Sequence, residues 1–420
     1  MSTHGSRGAE RRVVITGTGV VTAIGETVDT FWDALVAGQS GIRTLTSIDT
    51  TGLATRIGAE VVGFDPVRYM SRVASRRMDH FSWFAVAAAK QAMEESGLTV
   101  TEENGHRLGV LMGTGYAANV AAGNALDALL SRGPKGVSTS YATGASPDNA
   151  SSEIALQYGA EGPTAALVSA CATGTSCVGE AMWMIRQGRV DAMIAGGSDD
   201  PITRLDIAAM CNIRALSRRN DEPTRASRPF DQGRDGFVLG AGGGALVLEE
   251  AEFARRRGAT ILAEVVGYGA TTDAYHATAP HPEGRGAQRA IRDALDDARL
   301  DPADIDYVNA HGTSTPLNDP TEVAALRAVL GEHATRIPVS SQKSMIGHLI
   351  GGAGAVELVA TVKTLNTGIV PPTLNCDDPL DTEMNFVPHT AQKHEVRTAL
   401  SNSFGFGGHN AVLAVRAWDA

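Results

Sequence analysis

The chain has little cysteine: four residues in 420, at positions 171, 177, 211 and 376, with no C-x-x-C pair. That spacing gives neither a disulfide framework nor a zinc-ligand pattern, so no metal is expected and a reducing cytoplasm fits. It also has no excess of positive charge, since 36 Lys and Arg face 47 Asp and Glu for a net charge of −11. This argues against a general nucleic-acid binder, whose footprint would be basic. No uninterrupted apolar run approaches the length of a membrane span, and Met1 to Glu10 lacks the apolar core of a signal peptide, so a soluble, unprocessed chain with residues 1–10 as a flexible tail is expected. A third glycine is missing too: Gly17 and Gly19 lie in the buried-looking stretch from Arg11 to Val21, but Thr22 stands where a dinucleotide-binding turn would place its last glycine.

What the chain does have is enough apolar content, 43%, to bury a large core, either as two or three ordinary domains or as a single large bipartite unit. One stretch organises the rest. Ala166 to Ala170 reads as a short strand, and after Cys171 the residues Val178, Ala181, Met182 and Ile185 recur at helical spacing. Cys171 is therefore expected at a helix N-terminus, where free N–H groups and the helix dipole favour a nucleophilic thiolate. Gly174 and Gly179 leave one face of that helix slim enough for close approach. Taken alone, a lone cysteine reads more readily as a buried, inert thiol.

The chain also repeats itself. Asp79 reads as the N-cap of a helix carrying Phe81, Phe84, Ala88 and Met93 inward and ending near Gly97, with a strand over 108–112 after it. AMEESGL at 92–98 matches ALDDARL at 294–300, and each leads through a strand to Gly-Thr, at 113–114 and at 312–313. VSAC at 168–171 matches VSSQ at 339–342, and GGGALVL at 242–248 matches GGHNAVL at 407–413, which makes Gln342 the counterpart of Cys171. Matched pairs in one order argue for two similar α/β halves, residues 11–255 and 256–420, joined near Glu250 to Gly258. Strand ends of such halves meet at a shared interface where one site can draw on both. The second half brings His311 at the end of a short strand over 305–310, and Lys343 and His348 after a strand over 339–341.

Four segments carry a resemblance: SACATGTS around Cys171, NAHGTSTPLNDPTE around His311, SSQKSMIGHLIGGAGAVE around Lys343 and His348, and NSFGFGGHN at 402–410. Together, from Arg11 to about Val415, they resemble the β-ketoacyl-acyl carrier protein synthases, most closely the elongating type II branch. The resemblance implies a thiolase-like α/β fold, two duplicated halves in a five-layered αβαβα sandwich. It also implies a Cys-His-His site and decarboxylative Claisen condensation of an acyl group on Cys171 with malonyl on a carrier protein. Backbone N–H groups of Cys171 and Phe406 would hold the oxyanion, and His311 and His348 the enolate oxygen. Lys343 is expected to pair with Glu322, either as a catalytic support or as a plain salt bridge.

The resemblance further places Thr313 and Thr315 on the pantetheine arm, Thr278 at the tunnel mouth and Phe406 as a gate between Gly405 and Gly407. Tyr116 falls at a position that lines the acyl tunnel and is bulkier than the aliphatic residue expected there. Arg72, Arg76, Arg77 and Arg214 would dock an acidic acyl carrier protein, although such clusters read equally as solvated surface charge. No bound cofactor is implied, because the substrates ride on the carrier's phosphopantetheine. A homodimer, or a heterodimer with a cysteine-lacking chain-length factor, is expected. Elongation in fatty-acid synthesis leads, with a type II polyketide ketosynthase as the alternative. A non-catalytic chain-length factor is disfavoured because Cys171 is present. A thiolase is disfavoured because its second cysteine is absent from the C-terminal glycine-rich segment.

Overall fold

The structure is a computed structural model that describes residues 11–419; the tail expected at residues 1–10 lies outside them. Ten strands form the main sheet. In the first half they are β1 (Val13–Thr22), β2 (Leu108–Gly113), β3 (Thr164–Ala165), β4 (Ala192–Asp199) and β5 (Gly242–Glu250). In the second they are β6 (Ala263–Thr272), β7 (Tyr307–Asn309), β8 (Val339–Ser340), β9 (Thr398–Gly405) and β10 (His409–Arg416).

Their order across the sheet is β8-β7-β9-β10-β6-β1-β5-β4-β2-β3. Counted outward from the centre, the second half repeats the first strand for strand. In each half the strand beside the central one runs antiparallel to both neighbours, and the outer strands run parallel to one another. The halves meet where β1 and β6 pair antiparallel at Val13–Val265, Val14–Glu264 and Ile15–Ala263. The duplication read from sequence is thus the symmetry of the fold.

The helices supply the other layers. Helix α1 (His80–Ser96) covers the outer face of β1, β4 and β5, and α3 (Arg285–Ala298) covers β6 and β10 with α4 (Asn318–Leu330) beside it. Helices α2 (Thr173–Arg186) and α5 (Ala353–Thr367) lie between the halves and touch strands of both. The layers are therefore helix, sheet, helix, sheet, helix. Sandwiched helices must be apolar on nearly every side, and α5 buries Ala353 to Leu365 almost without a break. They must also be slim: a Cβ on Gly174 would lie 2.7 Å from the Ala355 nitrogen, and one on Gly179 would lie 2.4 Å from the Tyr268 ring. Asp79 caps α1 by accepting from the His80 N–H, and Gly97 ends it in the left-handed conformation.

Two readings of the sequence change. The strand expected over Ala166 to Ala170 is confined to Thr164–Ala165, because β3 is the sheet edge and pairs on one side only. Beyond it the chain leaves the ladder: the Ser169 N–H donates to Thr173 Oγ1 at 2.8 Å, and Val168 is 55% exposed. The counterpart of Cys171 also moves, from Gln342 to Gly351. Ala170 and Ile350 both take a left-handed backbone, with φ of 49° and 50°, three residues ahead of α2 and α5. The second half has a longer connection here, and that extra length carries Lys343 and His348.

Candidate active site

Cys171 lies in a single tight turn, Ala170–Ala172, that runs straight into α2. Its sulfur sits against its own backbone N–H and that of Phe406, both of which favour the thiolate. Lys343 acts in the same direction through its charge. Burial nevertheless outweighs all of these, and Asp199 adds to it, so the thiol is pushed up to about 11. The helix-terminal position expected from sequence is therefore present, but the thiolate it was expected to produce is not, and the resting group is a thiol.

The second half faces this thiol with two buried histidines. The rings of His311 and His348 lie 5.4 Å apart, nearly perpendicular, with Phe404 edge-on to His311 and Phe237 edge-on to His348. Burial and the charge of Lys343 hold both histidines well below the ordinary value, so both are neutral. His348 Nδ1 accepts from the Ile350 N–H at 3.3 Å, which leaves Nε2 to carry the proton.

His311 is held from below by a carboxylate. Glu322, on α4, accepts from the His311 and Gly312 N–H groups, each at 2.8 Å, and from Asn402 Nδ2 at 3.1 Å. Asp319, one turn earlier, accepts from the Thr313 and Ser314 N–H groups, each at 3.1 Å. With its oxygens occupied by these donors, Glu322 is not the partner of Lys343. The Lys343 ammonium bonds instead to Glu357 on α5, and both side chains are fully buried. Burial pushes Glu357 up to about 7 while Lys343 pulls it down.

A cavity of about 280 Å³ reaches this group, lined by Cys171, His311, His348 and Phe406 together with Thr278, Thr313, Thr315 and Arg214. The threonine hydroxyls at 313 and 315 are 3.0 Å apart. Gly405 has to be glycine here, because its Cβ would meet the Cys171 nitrogen at 2.9 Å. Tyr116 does not line this cavity. It packs against the core cluster that includes Cys171 and Ile350, as Phe406 does. Arg72 and Arg76 are exposed, whereas Arg77 is engaged in a two-point ion pair with Glu153 at 2.8 and 3.0 Å.

Reading the sequence missed Glu357, Asp319 and Asp199. Glu357 had a signal of its own, an isolated acid among the small and apolar residues 353–360, which calls for a buried partner.

Two sequence models cover most of the chain: the β-ketoacyl synthase N-terminal domain over residues 10–254 and its C-terminal domain over residues 262–377. The chain belongs to the β-ketoacyl synthase family. It is 46% identical to the 3-oxoacyl-(acyl-carrier-protein) synthase 2 of Synechocystis sp., over 98% of this chain and 99% of that one. The enzyme of the same name from Coxiella burnetii is 45% identical, over 98% of this chain and all of that one. Among solved structures, the ishigamide ketosynthase/chain length factor superposes with a TM-score of 0.90 at 36% identity, covering 98% of this chain and all of that one. A β-ketoacyl synthase from Burkholderia phymatum superposes at 0.89 with 35% identity, covering 97% and all of the respective chains.

Proposed function

We propose that this β-ketoacyl synthase elongates an acyl chain by two carbons, condensing an acyl group on Cys171 with malonyl on an acyl carrier protein. The observation that carries this reading is the convergence of one thiol from the first half and two neutral histidines from the second on a single cavity. In the first step the Cys171 sulfur displaces pantetheine from the acyl thioester, and the thiol proton ends on the departing sulfur. The N–H groups of Cys171 and Phe406 hold the oxyanion of that step.

In the second step malonyl thioester loses CO2, and its C–C electron pair becomes an enolate. Neutral histidines suit this step, because an Nε2–H can donate to the developing oxyanion without delivering a proton that would quench the carbanion. The carbanion attacks the acyl carbon, the new C–C bond forms, and Cys171 leaves as thiolate and is reprotonated. Thr313 and Thr315 bind the pantetheine arm inside the cavity, and Thr278 sits at its mouth. Lys343 with Glu357 supports the site from beneath, and its charge keeps both histidines neutral.

Identities of 43–46% to enzymes named 3-oxoacyl-(acyl-carrier-protein) synthase 2, against 34% to a solved ketosynthase in complex with its type II PKS acyl-carrier protein, support fatty-acid elongation over polyketide elongation. A cysteine in the cavity argues against a chain-length factor. A soluble cytoplasmic enzyme fits this role, and among the described residues no helix is long and apolar enough to cross a membrane. We also read residues 11–255 and 256–420 as the two halves, with the helix Ala251–Arg256 as their junction.

The test is Cys171→Ala. It is expected to remain folded by circular dichroism and to show no acyl mass increment after incubation with an acyl carrier protein. Undiminished condensation by this variant would overturn the mechanism.

A further inference from the structure

Asp199, the last residue of β4, is fully buried and takes no direct role in the chemistry above. Its carboxylate accepts from four neutral donors drawn from both halves of the molecule. Oδ1 takes the Thr114 hydroxyl at 2.6 Å and the Tyr116 N–H at 3.0 Å, while Oδ2 takes the Gly115 N–H at 2.8 Å and the Gly351 N–H at 2.7 Å. The charge of Asp199 works against the thiolate of Cys171. A buried carboxylate that opposes the nucleophile and lacks a cation among these donors is expensive to keep, which points to a role in geometry.

That geometry concerns two strained turns. Ala117 has φ of 54° and Ile350 has φ of 50°, positions that a residue with a Cβ holds only when its surroundings fix it. Each lies beside a peptide bonded to Asp199: Tyr116 precedes Ala117, and Gly351 follows Ile350. Thr114 reinforces the first turn, since its Oγ1 accepts from the Ala117 N–H at 2.8 Å while its proton goes to Asp199. The turns also touch, because a Cβ on Gly351 would meet the Gly115 nitrogen at 2.6 Å. Ile350 in turn supplies the N–H that His348 Nδ1 accepts.

The symmetry of the halves sharpens the point. Asp199 and Gly405 end equivalent strands, and Cys171 and Gly351 open equivalent helices. On one side Gly405 makes room for the nucleophile, and on the other Asp199 grips the peptide that stands in its place.

We propose that Asp199 is a positioning residue for His348: by holding Gly351 against the Thr114–Tyr116 turn it fixes the strained Ile350 peptide, and through it the tautomer and aim of the imidazole. This rests on the reading of His348 as an enolate-stabilising group. Two substitutions separate geometry from charge. Asp199→Ala removes every acceptor. Asp199→Asn keeps one oxygen for Gly115 and Gly351, and the Thr114 hydroxyl can turn to accept from the amide, so only the Tyr116 N–H loses its acceptor.

The measurements are CO2 release from malonyl carrier protein, acylation of Cys171 from a short acyl carrier protein, and 15N-histidine NMR. In Asp199→Ala, CO2 release is expected to fall on the order of 10- to 100-fold, as for a misaimed catalytic group. Acylation should change far less, and the acceptor-type Nδ1 signal of His348 should be lost. Asp199→Asn should retain that signal and most of the CO2 release. Equal losses in both half-reactions, an unchanged His348 signal in Asp199→Ala, or an Asn variant as damaged as the Ala variant would each overturn the proposal. Should Asp199→Ala not fold, Thr114→Val, which removes only the hydroxyl, carries the same comparison at smaller amplitude. If the wild-type chain itself releases no CO2, the functional reading falls, while the NMR comparison still decides whether Asp199 holds His348.

Discussion

At the scale of single residues, the site is governed by burial more than by charge. Cys171 has two N–H groups and an ammonium in its favour, yet desolvation keeps the proton on sulfur to about pH 11. The same desolvation, with the same lysine, keeps His311 and His348 neutral. A thiol of raised pKa ionises only as pH climbs toward that value, so the thiolate fraction grows about tenfold per pH unit across the neutral range. Alkylation of Cys171 by iodoacetamide in the absence of carrier protein is therefore expected to accelerate continuously from pH 6 to pH 10. Mass spectrometry of the Cys171 peptide reads the rate. A plateau near pH 7 would mean a low-pKa thiolate and would contradict the burial argument.

At the scale of elements, the central helices matter most, because α2 carries the nucleophile to its place and α5 carries Glu357 beneath Lys343. Their N-termini cross where Gly174 faces Gly351 and Ala355. Gly174→Ala would place a methyl 2.7 Å from the Ala355 nitrogen and 3.0 Å from the Gly351 oxygen, both backbone atoms that cannot rotate away. A loss of about 1–3 kcal/mol in urea unfolding is expected, with condensing activity falling further than stability because Cys171 and His348 are pushed apart. An alanine variant as stable and active as the parent would show that the crossing has slack. Such small-residue positions were legible in the sequence, as were the duplication and the helix that begins just after Cys171. Less legible was what depends on a neighbour. The apolar run over 166–170 has the composition of a central strand but lies at an edge. The pairing of Lys343 could not be chosen from spacing either, since Glu322 and Glu357 are both buried acids on helices. Only the backbone donors that occupy Glu322 leave Glu357 as the partner. In the same way, the N-terminal place of Cys171 could be read, but the depth that reverses its ionisation could not.

At the scale of the whole molecule, a chain of net charge −11 has to receive, under the proposed function, an acyl carrier protein that the resemblance implies is acidic. Long-range attraction is unfavourable between two acidic proteins, so docking depends on local patches acting within about a Debye length, near 8 Å at physiological salt. Arg214 lies on the rim of the cavity with its side chain exposed, and Arg72 and Arg76 are exposed on the short helix Arg72–Ser75 and its C-terminal cap. Arg77 differs, because its guanidinium is engaged with Glu153. Reversal of Arg76 or Arg214 to Glu is accordingly expected to raise the KM for carrier protein while leaving kcat nearly unchanged, since neither touches the reacting atoms. Added salt should raise the KM of the wild type and do so less for the variants, which have already lost some of the attraction. Arg77→Glu should instead place two carboxylates side by side and show its effect in thermal unfolding. If Arg76→Glu and Arg214→Glu bind carrier protein as well as the parent does at low salt, these arginines are solvated surface charge and the carrier approaches elsewhere.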